Sequence, residues 1–427
     1  MNRGSGPAGM QHKPLRFCML TTFYPPYNFG GDGIFVHRLS NALAKRGHEV
    51  HVVHCVDSFE LLARHKPSDS FENHPNVHVH GLRSPWGALS PLATQQTGRP
   101  FFKAAALNQI LDTGVDVIHY HNVSLLGGPG ILHYGRGVKL YTTHEYWLIC
   151  PTHTLFKMNR EACREPECLR CTLYSRRVPQ WWRGTGFIAS SAAKVDAFLG
   201  PSRCCIELHR NAGFPGRFIH VPGFAPDPDF ETPAVSENGF VDHSPAAHNA
   251  PAYFLYAGRL EKLKGLHTVI PAFRERSDAR LLVAGTGSDE AHLRRLAEGM
   301  SNIEFLGTVA ADQLSKLYRE AVAVIVPSLC FETFSLVTVE AFQHRTPVIG
   351  RKLGGVAELI EESGGGITYE TEQQLAAAIQ RLLEEPALRK DFGNRGHTAY
   401  RCKWSEEAHL TRYFEIIDQI SESGGTA

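Results

Sequence analysis

Short apolar runs alternate with longer amphipathic stretches from the start of the chain. Phe17–Leu20 comes first, then the amphipathic stretch 35–46, and the runs Val50–Cys55, Val115–His119 and Lys139–Thr143 follow at strand length. This order predicts βαβα units on a parallel sheet. It continues through Phe198–Ser202, a helix over 203–211 and a strand over 218–221.

The stretch 222–250 breaks the pattern with Pro222, Pro226, Pro228, Pro233 and Pro245 among polar residues, as a linker would. A second alternating series has strand candidates at Tyr253–Tyr256, Leu281–Ala284, Ile303–Leu306, Val322–Val326 and Pro347–Ile349. A helix pair is expected between Gln373 and Arg401, then apolar residues at helical spacing from Trp404 to Ile420. The expected division is a flexible tail at 1–13, a Rossmann-like domain at 14–222 with a cysteine-rich insertion at 146–172, a linker at 223–250, a second Rossmann-like domain at 251–400, and a C-terminal helix within 401–427 that packs back on the first domain.

Composition narrows this reading in two ways. A chain of 427 residues exceeds what one core usually supports, which agrees with two domains. With 44 Lys+Arg against 43 Asp+Glu, there is no general electrostatic attraction to nucleic acid. The apolar run Leu15–Leu20 is too short for a signal sequence or a membrane span, so a cytoplasmic protein is expected. Of the ten cysteines, Cys18 and Cys55 lie in apolar strand runs and read as small hydrophobes in a reducing compartment.

Candidate chemistry gathers after two strands of the second series. Gly258-Arg259-Leu260 follows Tyr253–Tyr256, and Lys264-Gly265 precedes the next helix. Pro327-Ser328 follows Val322–Val326 and leads through Glu332 and Phe334-Ser335-Leu336 to Glu340. Carboxyl ends of strands in a doubly wound sheet face the ligand crevice. There Arg259 and Lys264 suit a diphosphate, and helix N–H groups near Phe334, Ser335 and Leu336 suit an anion. Glu340 is placed to accept from ribose hydroxyls, and Gly285-Thr286-Gly287 is a weaker candidate for a place beside the base.

Together with Pro347-Val348-Ile349 and Gly354-Gly355 with Glu358, these motifs resemble the retaining GT-B glycosyltransferases of the glycosyltransferase 4 type, over most of residues 14–400. The resemblance implies an α/β GT-B fold: two Rossmann-like doubly wound parallel-sheet domains facing a central cleft, the first on the acceptor side and the second binding the nucleotide sugar. Two departures stand out. Ser335 is where the family usually has glycine, and Arg345 stands where glycine usually closes the helix, so Arg345 is expected to be left-handed.

In the first series the loop Thr21–Gly33 resembles the family's first loop, with Gly30 on the acceptor side and Gly31 near the donor diphosphate. His121, at the end of a strand, matches the family histidine that faces the transferred sugar or the acceptor, while His119 reads as core. His144 and Glu145 end the following strand in the same layer, and the sequence leaves open which of these three orients the acceptor hydroxyl.

The resemblance implies retention of anomeric configuration through an oxocarbenium-like transition state, with the leaving diphosphate helping to take the acceptor proton. Catalysis is expected to rest on Glu332 and His121, with no cofactor or divalent cation required. Donor and acceptor are expected to be a nucleotide sugar and a glycan or lipid-linked molecule, as in cell-surface polysaccharide or glycoconjugate synthesis. The alternatives are an epimerase or phosphorylase on the same plan, or a silent binding protein.

Cys150, Cys163, Cys168 and Cys171 suggest a structural zinc, with ordinary loop thiols as the alternative and an iron–sulfur cluster a lesser one. The stretch Tyr174–Arg183, with Trp181, Trp182 and three arginines, suits either contact with the inner face of a membrane or tryptophans packed as core.

Overall fold

The computed structural model describes residues 13–63, 67, 71–226 and 252–424. The strands are β1 Arg16–Leu20, β2 Glu49–Cys55, β3 Val77–Leu82, β4 Val117–Tyr120, β5 Val138–Thr142, β6 Phe156–Lys157, β7 Glu161–Ala162, β8 Ala197–Gly200, β9 Phe218–His220, β10 Ala252–Ala257, β11 Ala279–Ala284, β12 Ile303–Gly307, β13 Ala323–Val326, β14 Val348–Arg351 and β15 Gly366–Tyr369.

A seven-stranded sheet has the order β3-β2-β1-β4-β5-β8-β9, and a six-stranded sheet has the order β12-β11-β10-β13-β14-β15. In the first, β1 runs parallel to β2 and β4, and in the second β10 runs parallel to β11 and β13. Both sheets therefore reverse strand order beside their first strand, the doubly wound arrangement with a ligand crevice at the switch point.

The central strands of the second sheet are largely apolar because both of its faces are covered. Phe254, Tyr256, Leu281, Val283, Ala323 and Ile325 join one core cluster. Their neighbours Leu255, Leu282, Ala284, Val324 and Val326 join the other. Successive side chains of a strand point to opposite faces, which sorts them this way.

The chain forms two compact units that do not follow chain order: residues 1–142, 180–198 and 419–427 make one, and 143–179 with 199–418 the other. The cysteine-rich insertion thus groups with the second sheet instead of with residues 14–142. Within that second unit the helix Glu406–Gly424 meets Pro222, whose carbonyl lies 2.7 Å from His409 Nδ1. The last turns of the helix, from Gln419, belong to the first unit. The expected tail at 1–13, apart from Lys13, and the linker at 223–250, apart from Gly223–Pro226, lie outside the described residues.

Most predicted elements recur with shifted ends. The first helix begins at Gly31, earlier than the stretch 35–46, because the glycines and Asp32 enter its first turn. β3 and β15 were not predicted: β3 alternates histidine with valine, and β15 opens on glycine.

Candidate functional site

The second unit assembles its candidate residues at the switch point between β10 and β13. Lys264 Nζ donates to Glu332 Oε1 at 2.7 Å, and Ser328 Oγ donates to the same oxygen at 2.5 Å. Burial opposes the charge on Lys264, but the Glu332 carboxylate outweighs it and holds the ammonium above its ordinary range. One acid, one cation and one hydroxyl from two separate loops therefore converge on a single point.

Backbone packing explains why these loops meet. Gly265 has φ 75°, and a Cβ there would lie 2.2 Å from the Pro327 carbonyl oxygen. Leu329 N donates to Leu263 O at 2.8 Å across the same contact. Gly355 N donates to Glu332 O at 2.8 Å, so the start of the helix Gly354–Ser363 fixes the main chain of Glu332.

Arg259 lies nearby but turns outward, its guanidinium bonded to Glu261. Beneath it, Tyr256 donates to the Arg259 carbonyl at 2.8 Å, and burial pushes the Tyr256 phenol above its usual range. Gly285-Thr286-Gly287 packs on this loop: Leu260 N donates to Thr286 O at 2.9 Å, and a Cβ on Gly285 would lie 1.9 Å from Gly258 O.

Ser335 is the N-cap of the helix Leu336–Gln343, its side chain accepting from Thr338 N at 3.3 Å. The hydroxyl is therefore engaged in capping and takes one of the helix's opening N–H groups, that of Thr338. Phe334 packs beside Gly223, where a Cβ would lie 2.8 Å from its ring. Glu340 accepts from the buried Tyr318 hydroxyl at 3.1 Å. Arg345 is left-handed at φ 59°, as its place at the helix end required.

His144 and Glu145 belong to this second unit. Thr333 Oγ1 donates to the His144 carbonyl at 2.9 Å, joining this segment to the Glu332 loop, and loss of solvation around the His144 ring, with His409 adding to it, pushes its pKa down to about 3. Glu145 Oε2 is 2.6 Å from His153 Nδ1, so its carboxylate is held by the cysteine-rich insertion.

The first unit carries the remaining candidates. Gly30 is the N-cap of the helix Gly31–Lys45 with extended φ −159°, a conformation open to any residue. The glycine that sterics demand is Gly33, where a Cβ would lie 2.3 Å from Asn28 Oδ1. His121 is as buried as His119, each 1% exposed, with ring centroids 4.0 Å apart. Asn122 Nδ2 donates to Asp32 Oδ2 at 3.3 Å, which ties the end of β4 to the start of that helix.

Cys150, Cys163, Cys168 and Cys171 are free thiols on one small lobe containing the hairpin β6-β7. Met158 N donates to Cys171 Sγ at 3.4 Å, and Thr152 Oγ1 lies 3.3 Å from Cys150 Sγ and 4.0 Å from Cys171 Sγ. Burial first, then the neighbouring thiols of Cys150, Cys168 and Cys171, push the Cys163 pKa up to about 11. No group of three or more His, Cys, Asp or Glu side chains among the described residues is placed to hold a metal ion. The expectation that no divalent cation is required rests on the chain having no Asp-x-Asp triplet, and that ground is wrong: Asp227-Pro228-Asp229 is one, and it lies outside the described residues.

Sequence comparison identifies the family. The profile described as Glycosyltransferase Family 4 matches residues 29–223, and that described as Glycosyl transferases group 1 matches 242–399. An uncharacterized glycosyltransferase of Methanocaldococcus jannaschii is 33% identical over 394 residues, 89% of this chain and 92% of its own. The chain belongs to the GT4-type glycosyltransferases. A D-inositol 3-phosphate glycosyltransferase of Pseudarthrobacter chlorophenolicus is 26% identical to this transferase, covering 91% of each chain. Sucrose-phosphate synthase from Thermosynechococcus elongatus has a TM-score of 0.69 at 20% identity, covering 96% of the transferase and 100% of that chain, which shows the GT-B fold. The transferase is a retaining enzyme that takes its sugar from a nucleotide-sugar donor, and the comparisons do not favour the epimerase, phosphorylase or silent-protein alternatives.

The sequence did not single out Tyr256, Tyr318 or Cys330. Cys330 lies beside Glu332 and Lys264, with burial pushing its thiol to about 12. Ser328 was quoted as part of a motif but given no role. Its position four residues before Glu332 was the available signal.

Proposed function

We propose that the second unit holds the nucleotide diphosphate between Arg259, Lys264 and the first-turn amides around Ser335 and Leu336, with Phe334 flanking them. Glu340 takes the ribose and Glu332 the hydroxyls of the transferred sugar. The observation that carries this reading is Lys264 Nζ bonded at 2.7 Å to Glu332 at the switch point. The Glu332 carboxylate neutralises Lys264 in this pair, and a diphosphate would compete for the same ammonium, leaving Glu332 open to sugar hydroxyls.

Gly31 and Gly30 in the first unit are assigned to the donor and acceptor sides of the first loop. His121 is assigned to the transferred sugar or acceptor, and His144 with Glu145 to the acceptor side. A glycan or lipid-linked acceptor is supported by relatives named for such acceptors, including a mannosyltransferase named for phosphatidylinositol monomannoside that is 29% identical over 52% of this chain, and contact with a membrane surface is proposed with it. Catalysis is assigned to the protein's own charges, without a divalent cation. No helix among the described residues is long and apolar enough to cross a membrane, so such contact would be peripheral.

The test is a donor panel of uridine, guanosine and adenosine diphosphate sugars, scored by nucleotide release with and without polysaccharide or lipid acceptors. Acceptor-dependent release with one donor supports the proposal. Absence of binding to every nucleoside diphosphate refutes it.

We further propose one structural zinc on Cys150, Cys163, Cys168 and Cys171, supported by the position of the four free thiols on one small lobe. Binding would require the thiols to rotate together. Elemental analysis of reduced protein should give one zinc per chain, with nucleotide binding surviving chelation; no stoichiometric metal would make these residues ordinary thiols.

A further inference from the structure

The helix Leu89–Thr97 in the first unit is patterned inside out. Its buried positions include Ser90 and Thr94, while Leu89 is 57% and Leu92 43% exposed. The buried side has a polar anchor: Lys103, only 2% exposed, donates through Nζ to Ser90 Oγ at 2.5 Å. An amphipathic helix normally does the reverse, with its apolar stripe against the core.

The neighbouring side chains extend the exposed apolar surface. Trp86 is 58%, Phe101 61% and Phe102 37% exposed. Trp86 stacks on Phe102 at 5.6 Å, and Phe101 meets Phe102 edge-on at 4.9 Å, so these rings form one cluster. Trp182 Nε1 donates to the Gln95 carbonyl at 2.9 Å, which docks the turn Trp181–Gly184 on the helix and leaves Trp181 75% exposed. Trp182 is thus the core tryptophan and Trp181 the surface one. Single exposed apolar residues need no explanation, but a cluster of large aromatic and aliphatic side chains does.

Charge indicates what covers this surface. From Ser84 to Leu111 and from Gln180 to Val195 the chain contains no Asp or Glu, but besides the buried Lys103 does contain Arg99, Arg183 and Lys194. Arg99 lies over the Phe187 ring at 5.0 Å and Arg183 over Trp182 at 4.9 Å, so cations and rings share one surface. Tryptophan and phenylalanine settle at the headgroup boundary of a bilayer, and nearby arginine and lysine are attracted to anionic lipid.

We propose that Trp86, Leu89, Leu92, Phe101, Phe102 and Trp181, with Arg99 and Arg183, dock the first unit on a bilayer surface containing anionic phospholipid. This deepens the proposed reading of a membrane-linked acceptor. It needs no substrate, however, so its test is separate from that of the transfer site.

The test is co-sedimentation of the full chain with vesicles of phosphatidylcholine containing phosphatidylglycerol, and with phosphatidylcholine alone. Binding is expected to the anionic vesicles and to weaken by about tenfold or more in L89E/F101E, whose exposed positions leave the fold intact by circular dichroism. Brominated lipid should quench tryptophan fluorescence, less so in Trp86→Phe and Trp181→Phe. No binding to anionic vesicles, equal binding to both compositions, or unchanged binding by L89E/F101E would overturn the proposal. So would lipid-free self-association that the same double variant abolishes, which would assign the surface to a second copy of the chain. Nucleotide release with a soluble acceptor should be the same in L89E/F101E as in the parent; its loss in both would defeat the transfer-site reading and leave the docking result standing.

Discussion

Replacing Lys264 by methionine keeps most of the aliphatic stem and removes the charge, so it isolates the electrostatic contribution at the switch point. Glu332 would be left with Ser328 as its remaining bonded partner in the Lys264 cluster. The expected loss in kcat is about two to three decades, or about 3–4 kcal/mol, the usual cost of deleting a donor to a developing charge. Stability should fall less. The pair is partly open, with the Lys264 side chain 29% and Glu332 13% exposed, so the cost of breaking a buried pair is discounted to about 1–3 kcal/mol.

Urea melts and initial rates of nucleotide release on K264M, E332Q and the double variant separate these effects. The double-mutant cycle should give a coupling of about 1–2 kcal/mol in stability. The pH dependence supplies a control. The folded pKa of Lys264 is raised, so its stabilisation is complete below the unfolded value of about 10.4 and is lost only as pH rises through the folded value. The stability difference between K264M and its parent should therefore be flat from neutral pH to about 9. Full transfer activity in K264M, or a cycle with no coupling, would refute the reasoning.

Arg259→Ala should weaken nucleoside diphosphate binding by about tenfold while barely changing the melting temperature, because the side chain is 49% exposed and paired at the surface; calorimetric titration with the diphosphate checks the first part and a thermal melt the second. Gly285→Ala should destabilise by about 2 kcal/mol or more, since φ is 136° and the new Cβ would meet the Gly258 carbonyl; a parent-like thermal melt would contradict this. Burial lowers the pKa of His54, His209, His344 and His409 to about 4 each. Their neutral forms favour the fold fully above about pH 6.5, and that stabilisation is lost as pH falls from there toward the folded values. Urea midpoints should accordingly drop steadily between pH 6.5 and 4, and constant midpoints would count against the buried, neutral assignment.

The pattern of the second sheet was legible because both of its faces are covered, which makes strands such as Phe254–Tyr256 and Val322–Val326 continuously apolar. β3 escaped notice because its histidines at alternate positions stack with His51 of β2, with His51 Nδ1 2.9 Å from His80 Nε2, and polar residues paired in this way do not look like a strand. Lys264, Glu332 and Ser335 could be placed from their distance to strand ends. Their partners could not: that Glu145 faces His153, or that the Ser335 hydroxyl is taken by its own helix, depends on side-chain directions that spacing does not encode. Exposure was equally hidden. Nothing in the adjacent residues Trp181 and Trp182 distinguishes the surface ring from the buried one, and the helix Leu89–Thr97 inverts the pattern by which helices are read.

Glu358 sits in the motif that begins at Gly354, yet its carboxylate accepts from Arg203 N at 2.8 Å and Cys204 N at 3.0 Å, the opening amides of the helix Arg203–Asn211. A residue from the second half of the chain therefore finishes a helix belonging to the first half. Cutting the gene in the proline-rich stretch, where sequence alone would separate two modules, would part this carboxylate from the helix start it caps. A fragment beginning at residue 252 would also lack Pro222, which His409 contacts. Chimeras exchanging donor specificity between relatives should consequently carry the 199–226 segment along with the second sheet, because the inherited unit of folding is larger than the inherited unit of binding.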